Sequence, residues 1–527
     1  MRSGFFPSGK ADHGMPAGAP LRRAFRFFSP DFAAFVLALA GVLASFWVST
    51  RYFESIPHIE DEMAYVWQAR VIAESGRITT PSPVCPNCFL VPFVVDYHGQ
   101  RFGKYPLGWP ALLAIGVKFD ARGWVNPLLA GLSVWLIYRL GSRIFNRAAG
   151  LLAQFLTVTS PFFLINSGSL LSHPWSLFLS LGFTLAYLDV VSDEPRVPRW
   201  MPVTAAGLCL GALALTRPLT AVAVALPFGL HGLVRFARGG AALRRRLAGL
   251  GLLAGAVTGL YFLWQYAVTG DALLNPYLLW WPYDKIGFGP GVGASAQGHT
   301  PLKAWVQTLF GLGVGSHDLL GWPYLSYIGL PFGLWAARKK VSTWLVAGTA
   351  FALVAAYALY WTPAWLLGPR YYYEGLPAVV ILTAGGLLWL AGVGKHAGVT
   401  FRRFARLWAT ALAAGLLIAG NLFFYLPLRL GMMYGLYDVK AADLALFKSV
   451  EASSLPPTLV IVHVEDKWIG YGRLLDLSDP LFRSKFIFTV SQGPVEDQKV
   501  IRTFPDRQVW DFHPDQPVST GEDGGKQ

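Results

Sequence analysis

Pro57-His58-Ile59-Glu60-Asp61-Glu62-Met63-Ala64-Tyr65-Val66-Trp67-Gln68-Ala69-Arg70 decides how this chain is read. Three consecutive carboxylates open a helix-like run directly after the first apolar segment of membrane length. With Asp61 in the first turn, Tyr65 and Gln68 or Ala69 follow at helical spacing, so the acid and a polar aromatic share one face. That face can look into a cleft. Acids at a helix start are also favoured by the backbone dipole, and the cluster alone is compatible with either role.

Working outward, composition sets the class. Of 527 residues, 54% are hydrophobic and 14% charged, and a mean hydropathy of +0.43 excludes a soluble globular protein. The chain reads as a polytopic membrane protein. Its net charge of +14 at pH 7 does not point to nucleic acid, because Lys and Arg cluster at the ends of apolar runs, as the positive-inside rule describes. No Rossmann-type fingerprint for a soluble nucleotide sugar is present.

Runs of roughly 17–25 apolar residues, or shorter ones inside a bundle, predict about eleven helical spans. They lie near 32–50, 124–140, 148–166, 170–191, 201–216, 219–235, 247–268, 319–337, 341–361, 375–394 and 406–428. The fold class is thus an all-α polytopic membrane protein with outer-face interfacial helices and a small C-terminal α/β-like domain. Residues 1–30 form a Gly-, Pro- and Ala-rich tail with Arg22, Arg23 and Arg26, expected in the cytoplasm, and 31–428 form the transmembrane domain. Ala38-Leu39-Ala40 resembles a signal-peptide cleavage site, but the apolar run continues to Val48, so the first span is read as uncleaved. Alternating orientation then leaves Arg139, Arg143 and Arg147, Arg196 and Arg199, Arg235 to Arg246, Arg338 to Lys340, and Lys395 to Arg406 on the side of the N-terminus. This requires Leu107 to Phe119, which contains Pro110, to lie at the interface rather than cross.

The opposite, extracytoplasmic side carries the first loop 51–123, a second large loop 269–318, and the turns at Gly168–His173 and Thr216–Pro218. It also carries Thr362–Glu374, a domain at 429–515 and a disordered tail at 516–527. Leu459-Val460-Ile461-Val462-His463-Val464 is the strand-like run that marks the small domain. Unusual residues collect on this side. Asp96, His98 and Arg101 precede Gly103-Lys104-Tyr105-Pro106-Leu107, where Lys104 either snorkels to headgroups or holds a lipid phosphate. Arg217 sits between two apolar runs, where a charge is costly enough to suggest function. Arg370, Tyr371 and Glu374 stand at the mouth of another span, and His173 at an outer turn. Asn275 to Lys285 is aromatic, suited to covering a sugar or a lipid chain or to an interfacial belt. Cys85 and Cys88 could close a disulfide in an oxidising compartment, or bind metal with His98.

These motifs together resemble the C-type (GT-C) membrane glycosyltransferases over roughly residues 30–430. The resemblance rests on Asp61-Glu62-x-x-Tyr65 in the first outer loop, Gly103-Lys104-x-Pro106-Leu107 closing it, Thr216-Arg217-Pro218, and about eleven helices. It is strongest to the bacterial branch related to protein O-mannosyltransferases and lipid A aminoarabinose transferases. It implies a polyprenyl-phosphate-linked sugar donor, a glycan, lipid or protein acceptor, a bilayer setting in the bacterial inner membrane, and an inverting displacement on the extracytoplasmic face. Asp61 then matches the catalytic acid, with Glu62 and Asp96 as possible second acids. Lys104 matches the basic residue near the donor phosphate. Arg217 and Arg370 join it by topology, and Tyr65, His173, Tyr371 and Glu374 line the substrate. Tyr105 stands where many relatives have a proline. Members of the wider superfamily differ in using a divalent cation, and Glu60, Asp61, Glu62 and Asp96 leave that choice open. The alternative class, a transporter or flippase of a lipid-linked substrate, predicts polar residues along a path through the bilayer and repeated halves, neither of which this sequence has. A scaffold whose tail binds a partner leaves the acidic loop unexplained.

Overall fold

A computed structural model describes residues 29–194, 197–393, 401–464 and 470–514. The tail at 1–28 with its arginines, Arg196, Lys395 and the tail at 516–527 lie outside them. The chain is a bundle of apolar helices carrying two small sheets, and its apolar helices make it a multi-pass membrane protein. Among the described residues five helical segments are long and apolar enough to cross a bilayer, or six if one bent pair counts as a span. The bent pair is Arg147–Val158 and Pro161–Gly168, angled by 61°. Pro161 cannot donate a backbone hydrogen bond, and Ser160 caps the new helix by accepting from the Phe163 amide at 3.1 Å, so the chain restarts there in a new direction.

Two of the other predicted spans are full-length helices, Arg122–Ile144 of 23 residues and His173–Val190 of 18, and two are shorter. Trp200–Ala214 has 15 residues and Val341–Tyr357 has 17. One boundary is displaced. The predicted span at 319–337 is a turn followed by the short helix Leu330–Ala336, while Pro301–Asp318, read as part of a loop, is helical. Thr300 caps that helix and Pro301 occupies its first position, a start signal that three glycines farther along obscured in the hydropathy pattern. Its buried terminal Asp318 pairs with Arg429 at 3.1 Å and accepts from the Tyr425 hydroxyl at 2.6 Å, which ties it to the last long helix. Gly108–Lys118 is an 11-residue helix, too short to span on its own.

Individual helices are polarised. Pro218–Arg238 follows Arg217 and ends with Arg235 and Arg238; Val341–Tyr357 begins after Lys340 and ends at Tyr357. The basic clusters therefore sit at helix ends remote from those described below.

The C-terminal domain is a parallel three-stranded sheet, with Thr458–Val462 between Phe486–Val490 and Gln508–Phe512. Every residue of the central strand is buried, which explains its run rich in β-branched residues. This sheet packs on the helix Glu60–Ser75, whose Met63, Trp67 and Val71 recur every four residues and share a core with Val460, Val462 and Phe488. Asp476 adds a polar clamp, pairing with Arg122 at 2.6 Å and Arg70 at 3.3 Å.

Candidate active site

Successive side chains on an α-helix point about 100° apart, and the three carboxylates that open Glu60–Ser75 use this fully. Glu62 turns inward. It is 1% exposed, and its carboxylate accepts the backbone amides of His58 at 2.8 Å, Ile59 at 3.2 Å and Leu170 at 2.7 Å. Glu60 stays exposed in a side cleft. Asp61, between them, lines a cavity of about 340 Å³, with Tyr65 one turn on along the same wall. The capping role and the cleft-facing role thus both occur, on neighbouring residues.

The cavity collects side chains from several helix ends. Arg217 directly precedes Pro218–Arg238, Tyr357 closes Val341–Tyr357, His173 opens His173–Val190, and Arg370 and Tyr371 begin the turn into Leu376–Leu390. Lys104 arrives on the loop after the strand Gln100–Gly103. Gln68 holds that loop by accepting the Gly103 amide at 2.7 Å, and Gly108 donates to the Leu215 carbonyl at 2.9 Å. A Cβ on Gly108 would lie 2.7 Å from that carbonyl oxygen, so glycine is what lets the loop seat beside Thr216 and Arg217.

Charges in the cavity are arranged in pairs. Arg370 Nη2 donates to Asp61 Oδ2 at 2.9 Å, and the Tyr105 hydroxyl donates to Oδ1. Arg217 lies 3.6 Å from Glu374 and donates to the Tyr357 hydroxyl at 2.9 Å. Glu374 also accepts from Ser176 and lies behind Arg217, outside the cavity wall. Lys104 donates to Asp284 at 3.2 Å, with its Nζ 3.8 Å from the Phe93 ring and 4.8 Å from that of Trp281. Burial outweighs the pull of Asp284 and Asp61 and holds the Lys104 ammonium below the usual lysine range. Burial, helped by the Asp61 charge, pushes the Tyr65 and Tyr105 hydroxyls up, so both remain donors at neutral pH. Tyr371 stacks on Tyr357 at 4.6 Å, and His173, 4% exposed, has both ring nitrogens without a hydrogen-bond partner among the described residues.

Six of the sequence candidates therefore share this cavity with Asp61: Tyr65, Lys104, His173, Arg217, Arg370 and Tyr371. Glu62 and Asp96 do not. Glu62 is consumed by backbone amides, and Asp96 pairs with Arg101 at 3.6 Å on the side cleft. Cys85 and Cys88 are joined as a disulfide, which removes both thiols from a metal set with His98. Among the described residues no group of three or more His, Cys, Asp or Glu side chains could hold a metal ion, because the carboxylates near Asp61 diverge. Sequence reading gave no individual site role to Tyr105, Tyr357 or Asp284, and reached Tyr277 only within the aromatic stretch 275–285. Asp284 carried one signal, as the lone acid within the aromatic stretch 275–285, and it satisfies Lys104, Tyr360 at 2.9 Å and the Trp361 indole at 3.1 Å.

Among solved structures the chain is similar to ArnT from Cupriavidus metallidurans bound to undecaprenyl phosphate. The TM-score is 0.58 at 16% identity, over 90% of this chain and 89% of that one. The fold is that of the C-type membrane glycosyltransferases. A second structure with this GT-C fold, the archaeal oligosaccharyltransferase AglB from Archaeoglobus fulgidus in complex with an inhibitory peptide and a dolichol-phosphate, gives a TM-score of 0.50. There the identity is 14%, over 85% of this chain and 64% of that one. No family model matches the sequence. A 122-residue stretch, 22% of this chain, is 26% identical to a component of the NADH-quinone oxidoreductase of Syntrophotalea carbinolica and spans only 34% of that protein, too little of either to indicate a family.

Proposed function

We propose that this chain is a glycosyltransferase that moves a sugar from a polyprenyl-phosphate carrier to the hydroxyl of a cell-envelope glycan, lipid or protein. The observation that carries the reading is one cavity in a GT-C fold where the Asp61 carboxylate stands against Arg370, with Arg217 and Lys104 on the same walls. A hydroxyl is a weak nucleophile. Asp61 accepts its proton as the oxygen attacks the anomeric carbon, and the bond from that carbon to the carrier phosphate breaks on the opposite side, inverting the centre. Negative charge then grows on the departing phosphate. The Arg370 fork, shared with Asp61, and Arg217 meet it directly, and Lys104 adds a third cation by exchanging Asp284 for phosphate. Tyr65, Tyr371 and His173 line the sugar. The carriers in the two similar structures, undecaprenyl phosphate and dolichol-phosphate, support the donor class.

Basic residues at the helix ends remote from the cavity support a cytoplasmic N-terminus, with the cavity and the C-terminal domain on the extracytoplasmic face of a bacterial inner membrane. On this reading Arg122–Ile144, His173–Val190 and the shorter helices cross as well, making about eleven crossings within a bundle that shields their ends.

The test compares lipids and glycans, by mass spectrometry, from cells expressing the intact protein or Asp61→Asn at matched levels. The expected result is loss of one sugar increment from an envelope component, with the polyprenyl-phosphate sugar accumulating. Unchanged masses in both pools would refute the assignment, and redistribution of an intact lipid across the membrane would replace it with transport.

A further inference from the structure

Beside the cavity lies a second, open cleft of about 660 Å³, and the two share a wall. Phe93 and Trp281 face Lys104 on one side and line the cleft on the other, while Glu60 and Asp61, consecutive on one helix, serve the cleft and the cavity respectively. The geometry points to this cleft as the acceptor subsite of the transfer, built for a neutral or amino-bearing carbohydrate and not for a phosphorylated one. The inference rests on the transferase reading and narrows its acceptor.

The lining fits a sugar chain. Pyranose rings offer apolar C–H faces to aromatic rings and hydroxyls to carboxylates and amides, and here Trp280, Trp281 and Phe93 stand with Glu60, Asn87 and Asp96. The charge balance selects among sugars. Asp96 is offset by Arg101, which is 3% exposed and also donates to the Phe89 carbonyl. Glu60 makes no hydrogen bond or ion pair among the described residues and is exposed to the cleft, leaving it net negative. A phosphate is repelled here and attracted into the cavity, so donor and acceptor sort by charge to opposite sides of Asp61.

The cleft's rim explains two features that the catalytic cavity leaves without a role. It is the tight turn Pro86–Phe89, closed by the Cys85–Cys88 disulfide. The C-terminal domain grips this turn from behind, with Thr489 Oγ1 donating to the Cys88 carbonyl at 3.1 Å and Gln492 Nε2 to that of Asn87 at 3.4 Å. Disulfide and domain together hold Asn87 at the mouth.

The test presents full-length protein in lipid nanodiscs to an array of neutral, amino-bearing and phosphorylated oligosaccharides. Wild type and Asp61→Asn should both retain neutral or amino-bearing glycans. Trp280→Ala should weaken retention about tenfold, the scale of one lost aromatic contact, while Trp280→Phe largely keeps it. Glu60→Lys, at an exposed position, should shift preference toward phosphorylated glycans, with thermal unfolding checking that the variant stays folded. Preference of the wild type for phosphorylated glycans, retention of none, or retention indifferent to both Trp280→Ala and Glu60→Lys overturns the subsite. If the array behaves as expected but Asp61→Asn leaves cellular glycans unchanged, the cleft stands as a glycan-binding site only, and both the acceptor role and the transferase reading fall.

Discussion

Replacing Asp476 by alanine should loosen the C-terminal domain from the helix bundle, by an amount that follows from its contacts. Asp476 Oδ1 and Oδ2 accept from the two terminal nitrogens of Arg122 at 2.6 and 2.7 Å, and Oδ1 also accepts from Arg70 at 3.3 Å. The carboxylate is 4% exposed and each guanidinium 18%. Alanine leaves two nearby cations with no carboxylate between them, and Arg122 keeps only the Ser55 carbonyl, at 3.1 Å. Removing one partner of such a buried pair costs about 3–5 kcal/mol. Partial hydration of both guanidinium groups puts this case near the lower end, a shift of roughly two orders of magnitude in docking.

The apolar contact of Met63, Trp67 and Val71 with the sheet survives the change, so the domain should open more often while its own fold persists. Hydrogen exchange read by mass spectrometry checks this. Amides at 472–477 and in the turn 86–89 should lose about a hundredfold protection, while the strand amides at 458–462 change less. Asp476→Asn, which keeps an acceptor oxygen, should lie between. Unaltered exchange at 86–89 in the alanine variant would refute the idea that the domain supports that turn.

Other expectations follow from the cavity. Asp61→Asn keeps the shape and an acceptor for Arg370 but not the base, so turnover of purified protein should fall about 10²–10⁴-fold with thermal stability retained; undiminished turnover excludes Asp61 as base. Lys104, held below the usual lysine range by burial, loses its proton as pH rises through that lowered value, so donor use should decline on an alkaline limb below the ordinary lysine pKa of about 10.4. In the window between the two values the unfolded chain binds more protons than the native one, so stability should rise with pH even as donor use falls. Lys104→Arg should move the kcat/KM limb upward, and an identical limb in that variant rules Lys104 out as its source. Glu62→Gln replaces an acceptor of three backbone amides by a group with one acceptor oxygen, and should cost about 1–3 kcal/mol in thermal unfolding while KM for the donor stays unchanged.

Membrane class and the apolar course of the chain were legible because bilayer thickness imposes a long-range length rule on sequence. The central strand of the C-terminal sheet was legible for a similar reason: burial on both faces leaves a run without charges, rich in β-branched residues, at Thr458–Val462. Helix ends inside the bundle follow local chemistry instead. The 301–318 helix is announced by Thr300 and Pro301, signals too short for a hydropathy reading to register. At the site, the pattern located the acidic turn, Lys104, Arg217 and Arg370, because a charge placed beside an apolar run stands out.

The division of labour among Glu60, Asp61 and Glu62 was not legible, since each residue in a helix's first turn faces a different neighbour and those neighbours lie far along the chain. Leu170 claims Glu62, Arg370 claims Asp61, and Glu60 faces the side cleft with Trp280 and Trp281. Asp284 eluded the sequence for the complementary reason. Its partner Lys104 lies 180 residues away, and an acid in an aromatic loop acquires meaning only when the fold sets that loop over the cation. The same loop brings Trp280 and Trp281 against Phe93, on the wall that separates cavity from cleft. One tertiary contact therefore both restrains Lys104 and shapes the cleft, so a change at Asp284 should disturb the two together.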